Sequence, residues 1–168
     1  LKKIWEEVDP FWLPAFQFLY YTGIRKGEMI NLTWDKVNLT NKPPYIRIVS
    51  SSDWKTKTGK ARMLHLHKKA IKIIKNQIGL HPKYVFISKV GNQVHPNTPY
   101  NSLKRALNRL KLTGDVHKLR HTFASHLVMK GANVYDVQNQ LGHSKIEMTM
   151  KYSHLSPEHN QSVVNLLK

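Results

Sequence analysis

Apolar and polar positions along the chain change period several times, and each change predicts a different element. Phe11, Pro14, Ala15, Phe18 and Leu19 recur at helical spacing. They predict a helix with one buried face, opened by Asp9-Pro10 as N-cap and first-turn proline and stopped by Gly23. A short helix is expected over 25–32. The segments 34–39, 45–50 and 62–66 are short and suit strands, and the turn SDWKTKTG between the last two reads as a hairpin. Further on the period is helical. Ala70, Ile71, Ile74 and Ile78 predict one helix. Leu103, Ala106, Leu107 and Leu110, spaced i, i+3, i+4, i+7 after Thr98-Pro99, predict another. Leu119, Phe123 and Leu127 mark a helix over 116–130, with Gly131 as its stop, and the next runs from Val134 to about Gln140, ended by Gly142. Ser144 to Glu147 reads as a capping box before a short helix that delivers Tyr152. Ser156-Pro157 would cap a last helix with Val163, Val164 and Leu167 on one side. The sum is an α+β chain, mostly α-helical, with a small three-stranded antiparallel sheet and no clear internal boundary.

Composition narrows the class. A chain of 168 residues suits one domain with a real core. It opens on Leu1 rather than Met, so we expect a fragment of a longer protein. The densest apolar stretch, FWLPAFQFLYY, is interrupted by Pro14 and Gln17 and is too short to span a bilayer. Cysteine is absent, which removes disulfides and thiolate metal sites and favours an intracellular home. Charge changes the picture most: 27 Lys and Arg stand against 10 Asp and Glu, a formal net charge of +17. Such an excess opposes compaction, and a polyanionic partner, nucleic acid above all, is its natural reason. The predicted helix from Thr98 supports this, because Lys104, Arg105, Arg109 and Lys111 make every charge on its outer faces positive.

The stretch HKLRH at 117–121 carries the first candidate chemistry. Two histidines four apart lie on one helix face, a spacing that can hold zinc. The metalloprotease signature, however, needs a glutamate where Lys118 stands, and Arg120 would sit beside the dication. His126 lies on another face of the same helix. A phosphate is the better guest, since a helix N-terminus offers free N–H groups and arginine offers a planar fork. Taken alone, these five residues leave a third option open, in which His117 and His121 are capping or core histidines and Arg120 a surface charge.

They do not stand alone. TGIRKGEMINLTWDKV (22–37), KTKTG (55–59), HKLRHTFASHL (117–127), LGHSKIEMT (141–149) and Tyr152 occur in this order. Together they resemble the tyrosine recombinase family, the integrases of phages and mobile elements. The likeness runs from about residue 9 to 156 and corresponds to that family's catalytic domain, and we expect this fragment to lack the family's usual N-terminal DNA-binding domain. By this resemblance Arg25, Lys57, His117, Arg120, His143 and the nucleophile Tyr152 are the catalytic residues, and Glu28 is the acid that supports Arg25. His121 looks structural. Lys57 has Lys55 and Lys60 as rivals in the same turn. Lys26, Lys55, Lys104, Arg105, Arg109 and Lys118 are the candidate DNA contacts.

The chemistry expected from the resemblance needs these residue types. Attack by Tyr152 on phosphorus gives a 3′-phosphotyrosine and a free 5′-hydroxyl, which conserves the bond energy for rejoining. A phenol with a pKa near 10 needs a base or a positive field, and His117 is the candidate base or the group that orients it. Arg25, Arg120 and His143 would stabilise charge on the non-bridging oxygens. Lys57 would protonate the leaving oxygen, a task for which arginine is poorly suited. No metal and no cofactor are then needed. The expected partner is double-stranded DNA, bound by a tetramer that exchanges C-terminal segments, although an isolated domain can stay monomeric. The expected location is the bacterial cytoplasm, on DNA, with no membrane. Three other readings stand beside this one: a type IB topoisomerase-like nicking and resealing enzyme, a basic DNA-binding module without catalysis, and a zinc hydrolase built on HKLRH.

Overall fold

The structure, a computed structural model, describes residues 1–56 and 59–156. Lys57 and the expected C-terminal helix lie outside the described residues. The helices are α1 (Lys2–Glu7), α2 (Leu13–Thr22), α3 (Lys26–Ile30), α4 (Lys68–Lys75), α5 (Asn97–Arg109), α6 (Val116–Met129), α7 (Val134–Leu141) and α8 (Glu147–Met150). The strands β1 (Val37–Asn38), β2 (Tyr45–Ile48) and β3 (Arg62–His65) form one antiparallel sheet in the order β1-β2-β3. The expected α+β class and its three-stranded sheet are therefore what the chain forms. Among the described residues no helix is long and apolar enough to cross a membrane.

Several local expectations give way. Asp9-Pro10 does not open α2: the Asp9 carboxylate accepts from the Phe11 N–H at 3.0 Å inside a turn, and Pro14 takes the first-turn position of the helix. Trp34 sits in a short 3₁₀ turn ahead of β1, where its Nε1 donates to the His81 carbonyl at 2.9 Å. Helix α4 ends at Lys75 with Asn76 as its C-cap, so Ile78 falls beyond it and is exposed. The capping box at Ser144 does not form, because α8 starts three residues later with Ile146 as N-cap. Helix α1 was not expected; its Ile4 and Trp5 pack on the core from a segment too short to display a period.

Helix α2 is the central support of the molecule. Its Phe16, Phe18 and Leu19 are almost completely buried, and burying one such side chain stabilises by about 1.5–3 kcal/mol. Helices α4 and α6 pack against it. The main core joins α2 to Met29, Ile46, Leu64, Ile74, Leu103 and Leu119. A smaller cluster of Ala124, Val128, Val137, Leu141 and Tyr152 lies between α6 and α7. The register of β2 and β3 pairs Ile46 with Leu64 and Ile48 with Arg62. Strand alternation thus turns Arg62 toward the same buried side as Leu64, with Met63 facing outward.

Candidate active site

Arg25 is the residue that caps α3. Its backbone N–H donates to Glu28 Oε2 at 2.8 Å and its Nη1 to Glu28 Oε1 at 3.0 Å. Glu28 is buried, and it also accepts from Arg62 Nη1 at 2.9 Å and Nη2 at 2.6 Å. Burial pushes the Glu28 carboxyl up, but the hydrogen bonds and charge of Arg62, followed by those of Arg25, outweigh it and leave the pKa below the usual value. Glu28 is therefore the anion that holds two arginines at once. Sequence reasoning missed Arg62. A usable signal existed: Arg62 is in phase with Leu64 and Leu66 in a strand-period segment, so it had to point inward and find a counter-charge.

Gly142 lets Arg62 pass. A Cβ built on it would lie 2.7 Å from Arg62 Cδ, and its φ of +68° belongs to the left-handed region. The side chain of Arg62 consequently links β3, α3 and the loop that carries His143.

Arg120, which HKLRH taken alone could leave as a surface charge, is buried, with 3% of its surface exposed. Its Nη1 donates to the Gly23 carbonyl at 2.6 Å and its Nη2 to the Leu141 carbonyl at 2.7 Å. Gly23 is the left-handed C-cap of α2, and Leu141 is the last residue of α7. Helix C-termini present carbonyls without intrahelical donors and the negative end of the dipole. Two of them converge here to hold one guanidinium by its planar fork. Burial pulls the Arg120 pKa down to about 9, and Arg25 pulls the same way while Glu28 opposes.

The remaining groups come from α6 and from the chain around α8. Asp115, the N-cap of α6, accepts from the N–H of His117 at 2.8 Å and of Lys118 at 3.2 Å, a cap that sequence reasoning also missed. His117 is exposed, and its ring meets that of His121 edge to face at 4.7 Å between centroids. His121 Nδ1 is hydrogen-bonded to the hydroxyl of Tyr152. Tyr152 is buried in the small cluster of α6 and α7, and burial pushes its phenol up while Arg120 pulls it down. His143 Nδ1 pairs with Thr149 Oγ1 at 2.8 Å. Burial, then Arg120 and Arg25, pull the His143 pKa down to about 4. Burial also lowers His117 and His121, and the neighbouring cations add to it.

Arg25, Glu28, His117, Arg120, His143 and Tyr152 thus converge on one cluster, knit together by Arg62 and His121. Lys57 lies outside the described residues. Its neighbour Thr56 is buried, and the Thr56 N–H donates to Ser50 Oγ at 3.1 Å. Among the expected DNA contacts, Lys26, which follows Arg25 in sequence, and Lys104 flank the Tyr100 ring, with their Nζ atoms 6.0 Å and 5.9 Å from its centroid. Lys55, Arg105 and Lys118 are exposed. Arg109 is turned to α1, its Nε donating to Glu7 Oε2 at 2.7 Å, so it is not an open cation on that helix. His126 pairs with the Tyr20 hydroxyl at 2.9 Å, away from HKLRH. Among the described residues no three His, Cys, Asp or Glu side chains gather as a metal site would require.

Fixed cations, neutral imidazoles and a buried phenol in one place can grip the non-bridging oxygens of a phosphodiester and present an oxygen nucleophile to phosphorus. Comparison with known proteins gives the same direction. The phage integrase family model matches residues 9–159. A tyrosine recombinase of Thermosipho africanus is 34% identical over 156 residues, covering 91% of this chain and 53% of the relative. The catalytic domain of bacteriophage HP1 integrase superposes with a TM-score of 0.71 at 26% identity, covering 99% of this chain and 90% of that one. The Tn1549 transposon integrase, solved with transposon right end DNA, superposes with a TM-score of 0.78 at 19% identity, covering 99% of this chain and 64% of that one, a likeness of fold. The chain spans about half the length of the relatives it matches.

Proposed function

The chain belongs to the phage integrase family, and from that premise we propose that it cuts and rejoins DNA strands as the catalytic part of a site-specific recombinase. The observation that carries this reading is the buried Tyr152 phenol lying within the field of a fixed, buried guanidinium, that of Arg120. The Tyr152 oxygen attacks phosphorus and the bond to the 5′-oxygen breaks, leaving a 3′-phosphotyrosine. Arg25, Arg120 and His143 stabilise the charge on the non-bridging oxygens. His117 acts as the base or as the group that orients it. Lys57 gives its proton to the 5′-oxygen. Rejoining runs the same steps backward. The residues do this with protons and fixed charge alone.

The partner on this reading is double-stranded DNA, and the net charge of +17 supports it. Lys26, Lys104, Lys55, Arg105 and Lys118 then contact phosphates, which position the protein without reading sequence. The full protein works in the bacterial cytoplasm as a tetramer that exchanges C-terminal segments, so deleting residues 157–168 should lower assembly on DNA more than it lowers folding.

The decisive test is a nicked duplex pool of randomised sequence incubated with the chain, with and without EDTA, and then denatured in SDS. We expect an adduct on the 3′ side that EDTA does not affect and that Tyr152→Phe abolishes. An adduct that survives Tyr152→Phe would remove the nucleophile assignment, and loss of the adduct in EDTA would require a metal.

A further inference from the structure

We infer that His121, rather than His117, receives the proton of the Tyr152 hydroxyl as the phenol attacks, and that His117 holds the His121 ring in place. The inference rests on the reading of Tyr152 as nucleophile and deepens it. Four observations carry it. The polar atom bonded to the phenol is His121 Nδ1. Both rings that meet there are held by the fold, His121 by its place on α6 and Tyr152 by packing with Ala124 and Val128 of the same helix and Val137 and Leu141 of α7. His117, one helical turn earlier and exposed, meets the His121 ring edge to face at an interplanar angle of 86°, so it limits how that ring can turn. Finally, the charged groups around His121 are the cations Lys118, Arg120 and Lys151, with His117 and His143 as the other titratable neighbours. A positive surrounding keeps the imidazole neutral, and a neutral ring with its proton on Nε2 offers Nδ1 as an acceptor.

The Tyr152 O–H bond breaks and its proton passes to His121 Nδ1, giving an imidazolium. The phenol oxygen bonds to phosphorus as the bond from phosphorus to the 5′-oxygen breaks. The 5′-oxygen takes its proton from the general acid, for which Lys57 is proposed. In rejoining, the 5′-hydroxyl returns its proton to that acid's amine, and the His121 imidazolium returns its own to the departing phenol. His121 is then a catalytic residue, since it touches the reacting oxygen, and His117 is a positioning residue.

The test uses the same nicked duplex pool under single-turnover conditions and compares His121→Gln, His117→Gln and the unaltered chain across pH. His121→Gln should slow adduct formation by on the order of a hundredfold or more, the usual contribution of one positioned base. It should also remove the loss of rate that the unaltered chain shows as His121 protonates on the acid side. Fluorotyrosine at position 152 lowers the phenol pKa and should restore much of the rate in His121→Gln while changing the unaltered chain little. A His121→Gln variant that keeps the rate and pH profile of the unaltered chain overturns the proposal and leaves the nucleophile reading intact. An unaltered chain that forms no adduct overturns both. Nitrogen NMR of the folded chain checks the contact without DNA: Nδ1 of His121 should be unprotonated and should shift in Tyr152→Phe. A protonated Nδ1 would also overturn the proposal.

Discussion

Arg62 shows how a buried charge acquires its position. Its guanidinium and the Glu28 carboxylate are nearly out of water, with side-chain exposures of 11% and 1%, and they share two hydrogen bonds. Such a pair adds modest net stability, yet removing Arg62 leaves the buried Glu28 carboxylate with Arg25 as its remaining cation. Arg62→Ala should therefore destabilise the fold by less than the roughly 3–5 kcal/mol of a wholly unpaired buried charge, because Arg25 remains, and this is seen as a lowered urea midpoint. Replacing both partners, Arg62→Met with Glu28→Gln, should cost less than the sum of the single changes. Arg25 would lose a fixed neighbour in either case, because the carboxylate that holds it is held by Arg62. A fall in stability equal for the double variant and the summed singles would mean that the two side chains do not act as a pair.

Helix α6 delivers three site side chains, so its start decides where they point. Asp115 satisfies two of the free N–H groups in its first turn. Asp115→Ala should cost about 0.5–2 kcal/mol and should also lower the adduct rate, because His117 follows directly after the cap. Equal melting curves for the two proteins would show that the cap contributes nothing. The same helix shows what could be read from the sequence. Its span and its Gly131 stop followed from period and stop signals. Three things did not follow. Periodicity reports a face and not a partner, so the helix alone could leave Arg120 a surface charge although it is buried on helix-end carbonyls of α2 and α7. His121 read as structural, because its contact with Tyr152 spans 31 positions of chain. The same limit hid Arg62, whose counter-charge lies 34 positions away. Short elements such as α1, and caps that a single side chain decides, also left too little pattern to detect.

The net charge of +17 and the ten histidines make acid the condition to which the molecule should respond most. His117, His121 and His143 all have pKa values below the ordinary 6.5 in the folded chain, chiefly through burial, and His143 reaches about 4. His67, outside the site, is lowered in the same sense. In the unfolded chain these groups take up protons from about pH 6.5 downward, while the folded chain keeps them neutral. The unfolded state therefore binds more protons in that window. Their contribution to stability is full above pH 6.5, drains as pH falls, and stops falling near pH 4 where folded His143 protonates as well. Glu28 is lowered from 4.5, so its own contribution is lost only below that value. The two effects separate, and above pH 4.5 the loss belongs to histidine. The urea midpoint should accordingly fall between about pH 7 and about pH 5, and His143→Gln should flatten that fall. Inorganic phosphate should oppose it by binding the folded site, where an anion favours the protonated histidines. A midpoint that stays level over this range would mean that the site histidines take up protons as readily in the folded chain as in the unfolded one.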